Sequence, residues 1–306
     1  MGEIIGFAIR RVASALVTLF IVSLVIFSAV HALPGGYADV FLGAHPTPAA
    51  KARVEAQFGL DQRLPVQYLR WLGSAISGDF GQSLVTQKPV AEEFAVRLPV
   101  TATIAVLATL IAVGIGLPWG IAGGMRHGSG QGRMISRLGS AIAISVPDFL
   151  VGTLLLFLVS RYLPWATSLS TTLLPAMALS LLGIGLVAGA ARQAAAGASQ
   201  GQWVLAAVAR GMSRRDIIRH HIVKNAAIPV LTTAGIYLGY LLGGTAIVES
   251  TFTVPGIGRY VLQAVQLRDY TVVQGGALIA ATLFIVLNLV VDLLYGLLDP
   301  RIRRTR

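Results

Sequence analysis

The chain has 306 residues, 55% of them hydrophobic and only 12% charged, with a mean hydropathy of +0.74 and a formal net charge of +11. A water-soluble domain has no use for that much apolar surface, so the composition reads as a multi-span membrane protein. The absence of cysteine excludes disulfides, thiolate metal sites and cysteine nucleophiles, and the absence of any Gly-Lys pair excludes a P-loop for ATP.

A helix needs about 20 apolar residues to cross a bilayer core. Six blocks approach that length: Val12–Leu33, Val100–Met125, Ile135–Leu163, Leu173–Ala191, Ala226–Val248 and Val272–Leu298, the fourth being the shortest. The first block follows Arg10-Arg11 and lacks a small-residue cleavage site, so it reads as an anchor and not as a removed signal peptide. The segment Pro34–Pro99 balances six basic residues with six acids. In it Pro46-Thr-Pro48 breaks the chain, and Val66, Leu69, Leu72 and Ile76 predict an amphipathic helix on the outer membrane surface. Asp79-Phe-Gly-Gln-Ser83 reads as a turn. The segment lacks an independent core and is expected to pack over the spans. Glycines inside the spans, as in Gly114-Ile-Gly116, Gly183-Ile-Gly185 and Gly243-Gly244, read as close helix packing in preference to hinges. Pro147 in Ser-Val-Pro-Asp-Phe149 predicts a kink in the third span.

Between the fourth and fifth blocks lies a polar, basic insert, Gly201–Asn225. From Arg192 to Lys224 the chain carries six Lys and Arg residues against one acid, Asp216. Such charges are costly inside a bilayer, so the insert belongs outside it. Gly211 is placed to end a short helix, Trp203–Arg210, in the left-handed conformation, and Ser213-Arg-Arg-Asp216 to cap the next. The result is helix, sharp bend, helix. Ile217, Ile218, Ile222 and Val223 form no single stripe, which predicts contacts on two sides, with the spans and with a partner.

Basic residues set the orientation. Arg10, Arg11, Arg126, Arg133, Arg137, the insert, and Arg301, Arg303, Arg304 and Arg306 fall on alternate sides of successive spans, hence on one face. By the positive-inside rule that face, with both termini, is cytoplasmic. The same placement accounts for the net charge without a nucleic-acid partner.

Few residues suggest chemistry. The five histidines, His31, His45, His127, His220 and His221, form no i, i+4 pair and no cluster with carboxylates, so no metal site is expected. Gly128-Ser-Gly-Gln-Gly132 reads as a flexible turn; no nucleophile and base face each other at membrane depth, so no catalytic residue is assigned. Asp148, Glu249 and Asp292, with Asn288 four residues before the last, lie in or near spans and are candidates for the solute pathway, with packing as the competing role.

Several motifs together resemble one family. They are Arg10-Arg11, Leu33-Pro34-Gly35, Gly59–Gln62, Gln67–Leu72, the Gly78–Ser83 turn, Lys88-Pro89, Glu249–Arg259, Arg268-Asp-Tyr270 and Asp292-Leu-Leu-Tyr with Leu-Asp-Pro-Arg301. In these the chain resembles membrane permease subunits of bacterial ATP-binding-cassette (ABC) importers, of the dipeptide/oligopeptide/nickel group. The resemblance implies an all-α polytopic fold, a type I ABC importer permease with six transmembrane helices. It implies one permease domain over residues 1–306, with an external segment at 34–99 and cytoplasmic coupling helices at 196–225. Coupling to the ATPase would fall to Trp203, Leu205, Ala206, Ala207, Gly211, Ser213, Arg214, Arg215, Asp216 and His221. Where the family has a Glu-Ala-Ala triplet before the glycine, this chain has Leu205-Ala206-Ala207, so the acid is absent. Likewise Arg-Asn-Ala before a proline becomes Lys224-Asn225-Ala226 with Pro229, and the loop between the third and fourth spans is short. The implied partners are a second homologous permease, two cytoplasmic ATPases, an external solute-binding protein and membrane lipid. ATP hydrolysis would belong to the ATPases, no cofactor is implied, and the implied location is the bacterial inner membrane. Di- or oligopeptide is the expected cargo; the alternatives are nickel or a metal chelate, or, in another class, an ion-coupled secondary transporter.

Overall fold

The computed structural model describes residues 2–32, 42, 47–125 and 130–298. The Leu33-Pro34-Gly35 run, His45, Arg126, His127 and the terminal arginines from Arg301 onward lie outside the described residues. So does the start of the Gly128–Gly132 turn. Helices in chain order are α1 (Gly2–His31), α2 (Pro48–Phe58), α3 (Leu64–Ile76), α4 (Val90–Gly124), α5 (Gly130–Ser145), α6 (Asp148–Tyr162), α7 (Leu173–Ser199), α8 (Gln202–Ala209), α9 (Arg214–Ile217), α10 (Val223–Gly244), α11 (Ala246–Thr251), α12 (Ile257–Gln266) and α13 (Tyr270–Leu298). A 3-10 turn, Pro164–Thr171, joins α6 to α7, and a π turn, Ile218–Ile222, joins α9 to α10. Among the described residues the β structure is one isolated bridge, Gln82 to Pro89.

Among the described residues five helices are long and apolar enough to cross a membrane: those over Gly6–His31, Val90–Gly124, Leu173–Ser199, Arg214–Gly244 and Tyr270–Leu293. Counted as one span, the bent pair Met134–Ser145 with Asp148–Tyr162, whose axes turn by 89°, makes a sixth. The expected kink at Pro147 is therefore a full break: Pro147 has no N–H to give and caps a fresh helix with an extended φ/ψ of −61° and 134°. The fourth crossing also corrects its expectation. It runs 27 residues and is the most buried of the five. Its Ala- and Gly-rich end lowers hydropathy while suiting it to the centre of the bundle.

Small residues hold that centre together. Gly116, Gly120 and Gly124, at i, i+4 and i+8, line one side of α4 and face Ile184, Ala188 and Arg192 of α7 at the same spacing. A Cβ on Gly120 would lie 2.5 Å from the Ala188 carbonyl oxygen, and one on Gly124 would lie 2.5 Å from that of Arg192. The backbones touch, as close packing requires. Gly183 abuts Ala112 and Tyr237, and Gly185 abuts the Ser140 carbonyl. The Gly243-Gly244 pair departs from the expectation. Gly243 has only the Ala280 Cβ near it, at 4.0 Å, and Gly244 only the ring of Tyr240 on its own helix.

The amphipathic helix α3 is present, but it docks on α1 through its polar-aromatic side. Ser23 Oγ and the Tyr68 hydroxyl share a hydrogen bond of 2.8 Å, and His31 meets Gln67 at 3.2 Å. Phe27 packs edge-on against Tyr68 at 5.4 Å. Val66, Leu69 and Ile76 stay exposed, which suits a helix lying against lipid.

Candidate functional site

The basic insert folds as its local residues dictate. Helix α8 ends with two backbone bonds: Gly211 N–H donates to Val208 O at 2.9 Å and Met212 N–H to Ala207 O at 3.1 Å. This pair is the Schellman arrangement, and it requires the left-handed φ of +75° that Gly211 adopts. The Asp216 N–H donates to Ser213 Oγ at 3.2 Å, while the Ser213 hydroxyl donates to Asp216 Oδ2 at 2.6 Å. Ser213 thus caps α9, and the only acid of the insert is engaged at home.

The chain then stays helical into α10 through the π turn, where Val223 N–H donates to Ile218 O. This turn gathers Ile217, Ile218, Ile222 and Val223, expected to contact both the spans and a partner, against the spans. An α-helix would splay residues five apart, whereas an i to i+5 turn stacks them. Ile217 and Ile222 are buried and Ile218 and Val223 half-buried, all against one cluster with Ile121, Val187, Ala191, Ala195 and Val230 of the spans. Ala207 belongs to the same cluster and is fully buried. The expected 196–225 unit is correspondingly shorter at its start, since 196–199 finish α7.

What faces away from the spans lies mainly on α8 and α9. Leu205 is 68% exposed and Val208 57%. Trp203 lies beside the His221 ring, with centroids 5.3 Å apart. Ala206, Gly211, Ser213, Arg214, Arg215 and Asp216 are exposed too. The insert is therefore an apolar knob rimmed by guanidinium groups, with a rigid seat on the bundle. Of the ten coupling candidates, Ala207 is the one turned inward.

At the opposite end of the bundle two carboxylates organise the chain. Glu249, on α11, is fully buried. Its Oε1 accepts from the hydroxyls of Thr101 and Thr245, both at 2.7 Å, and its Oε2 accepts from Arg259 N–H at 2.8 Å. Asp269, 3% exposed, precedes α13. It accepts from Ser83 Oγ at 2.5 Å, from Leu84 N–H at 3.1 Å and from Val272 N–H at 3.3 Å. Asp269 thereby caps α13 and ties it to the turn after Gly78. Sequence reasoning passes over Thr101, Thr245 and Asp269 as functional residues. An Asp directly before a long apolar run is an N-cap signal that marks Asp269. No local pattern marks Thr101.

The four pathway candidates do not converge. Asp148 sits at the break before α6 and accepts from Phe149 N–H at 2.7 Å. Asp292 pairs with Arg11 of α1 at 2.8 Å. Asn288 donates to Phe284 O of its own helix at 2.9 Å. Among the described residues no group of three or more His, Asp and Glu gathers as a metal site would.

Comparison with known proteins gives this geometry its context. Residues 114–304 match the family described as binding-protein-dependent transport system inner membrane component, and residues 4–105 match the N-terminal part of such membrane components. A probable peptide ABC transporter permease protein (y4tP) of Sinorhizobium fredii is 33% identical, covering 97% of this chain and 99% of its own. The glutathione transport system permease protein GsiC of Escherichia coli is 35% identical over 98% of this chain and 99% of its own. Among solved structures, the inward-facing MetNI methionine ABC transporter superposes with a TM-score of 0.52 at 16% identity, over 67% of this chain and 96% of that one. That likeness speaks for the fold, and the sequence matches speak for the family. This protein belongs to the binding-protein-dependent transport inner membrane components and is a permease of an ABC importer, a family that works with ATPase and other ABC components.

Proposed function

We propose that the chain forms half of the translocation pathway for di- or oligopeptides. It would work beside a second homologous permease, two cytoplasmic ATPases and an external solute-binding protein, with both termini cytoplasmic and residues 1–306 acting as one domain. The observation that carries the docking part is the insert: an exposed face of Trp203, Leu205, Val208, Arg214 and Arg215, seated on the spans by buried Ala207, Ile217 and Ile222. An element so anchored transmits a push from a cytoplasmic partner to α7 and α10 instead of deforming. ATP hydrolysis remains with the ATPases, while the permease's own residues serve docking, packing and passage. Among the pathway candidates we assign Asp148, at the 89° break, to the solute route, and Glu249, Asn288 and Asp292 to fastening helices.

The peptide assignment draws on the relatives, one named for peptide and one for glutathione, itself a small peptide. Neither relative is named for nickel, and a binding-protein-dependent family replaces the ion-coupled alternative. The test is co-purification. A tagged chain in mild detergent should bring down an ATPase, and reversing charge at Arg214 and Arg215 should abolish capture and ATP-dependent uptake while membrane insertion stays normal. Labelling of Arg214→Cys by an impermeant reagent added outside intact cells would overturn the reading.

A further inference from the structure

The segment from Thr245 to Asp269 leaves α10 and returns to α13 without crossing the bundle, and its polar bonds do not run to α10. Glu249 reaches Thr101 of α4, and the Thr101 hydroxyl oxygen in turn accepts Ile257 N–H at 2.9 Å. A Cβ on Gly256 would lie 2.4 Å from the Glu249 carboxylate, so Gly256 is what lets the loop close over it. Val248, Phe252 and Val254 are buried in one cluster with Ile104, Ala105 and Ala108 of α4 and with Tyr237 and Leu241 of α10, and Ile257 and Ala264 in another with Val90 and Phe94 of α4. At the far end Asp269 binds the Ser83–Leu84 backbone and side chain. Among the described residues no side-chain hydrogen bond joins the segment to α10; beyond the shared apolar cluster the link is the chain itself at Gly243-Gly244, a pair with no close packing and no Cβ, followed by Thr245 outside either helix. Rotation is cheap at such a joint, while bonds to a carboxylate shielded from water resist it.

We propose that Thr101 and Glu249 are positioning residues that fasten Thr245–Asp269 to α4 as a cap, and that Gly243-Gly244 is the joint at which the cap and α10 part when the pathway switches. This rests on the importer reading above. The absence of cysteine makes the test clean. In Gly243→Cys/Ala280→Cys the Cβ atoms would stand 4.0 Å apart, within disulfide range. In the assembled importer reconstituted in liposomes, oxidation should lower this variant's peptide uptake about tenfold or more below its own reduced rate, and reductant should restore that rate. A fully oxidised variant that transports at the reduced rate overturns the joint. Thr101→Val and Glu249→Gln should cut uptake about tenfold at unchanged amounts of assembled complex, with ATP hydrolysis persisting unlinked to uptake and Thr101→Ser restoring it. Wild-type uptake in Thr101→Val and Glu249→Gln overturns the fastening. Should either substitution prevent assembly, the disulfide variant still decides. Absence of any ATP-driven uptake by the unmodified complex would instead reject the importer reading.

Discussion

Ser83 and Asp269 stand 186 residues apart in sequence and 2.5 Å apart in space, the serine hydroxyl donating to a carboxylate that also caps α13. One side chain thus closes the segment between the first two crossings onto the start of the last. Both residues are buried, so replacing the acceptor leaves the Ser83 hydroxyl proton and the Leu84 amide without an acceptor, while the Ser83 oxygen still accepts from Thr86 N–H. Asp269→Ala should cost about 2–4 kcal/mol, and Ser83→Ala about 1 kcal/mol, read as thermal unfolding of the detergent-solubilised protein. Equal, negligible effects would show that the bond contributes nothing to holding this end.

The glycine stripe on α4 makes a sharper prediction, because Gly120 of α4 and the half-buried Gly189 of α7 differ in their surroundings. A side chain at Gly120 meets the Ala188 carbonyl oxygen at 2.5 Å, whereas one at Gly189 meets nothing within 4 Å. Gly120→Val should therefore prevent folding or cost several kcal/mol, as overpacking against backbone does, while Gly189→Val should leave the folded yield unchanged. Size-exclusion profiles of the two variants check it.

Much of this architecture is legible in the sequence because it is local. Gly211 and Ser213 announce the bend through the conformations their own residue types favour, and the charge of the insert keeps it out of lipid. Other parts are hidden for physical reasons. Thr101 and Glu249 are 148 residues apart, and neither neighbourhood advertises the other. The fourth crossing looks short in the sequence because Ala and Gly, which let α7 approach α4, carry little hydropathy. Pro147 signals a discontinuity but carries no information about its angle, which is set by packing of α6 against α7 and α11. The π turn is invisible to an α-helical period, which Ile218–Ile222 does not follow.

The turn at Gly211 offers a test of rigidity. Its φ of +75° suits glycine, and no atom crowds a Cβ there. Gly211→Ala therefore meets backbone strain alone, about 1 kcal/mol, and loosens the angle between α8 and α9 without disturbing the spans. Uptake per ATP hydrolysed should fall while the melting temperature of the spans stays within a few degrees. Ser213→Ala, which removes the cap on α9, should act in the same direction by about 1 kcal/mol.

Arg11 and Asp292 bind the first crossing to the last at 2.8 Å, with side chains 48% and 36% exposed. The carboxylate is thus engaged in fastening these two helices to each other. Asp292→Asn should therefore leave ATP-dependent uptake near the wild-type rate and insensitive to a collapsed proton gradient. Loss of transport in this variant would return Asp292 to the solute route.

In the docking proposed above, position 205 lies in the contact with the partner. Leu205 stands where the family resemblance implies a glutamate, and it is 68% exposed on a face whose one acid, Asp216, is already bonded to Ser213. Docking that buries this leucine gains about 1.5–3 kcal/mol. Leu205→Glu forfeits that gain and brings a carboxylate into a contact shaped for an alkyl group, where an unpaired charge is penalised. The expected outcome is at least about a tenfold weaker capture of the cognate ATPase, since 1.4 kcal/mol is one decade. Titration of the purified ATPase against the permease in nanodiscs measures it. Stronger capture by the glutamate variant would mean that the partner presents a cation to this position.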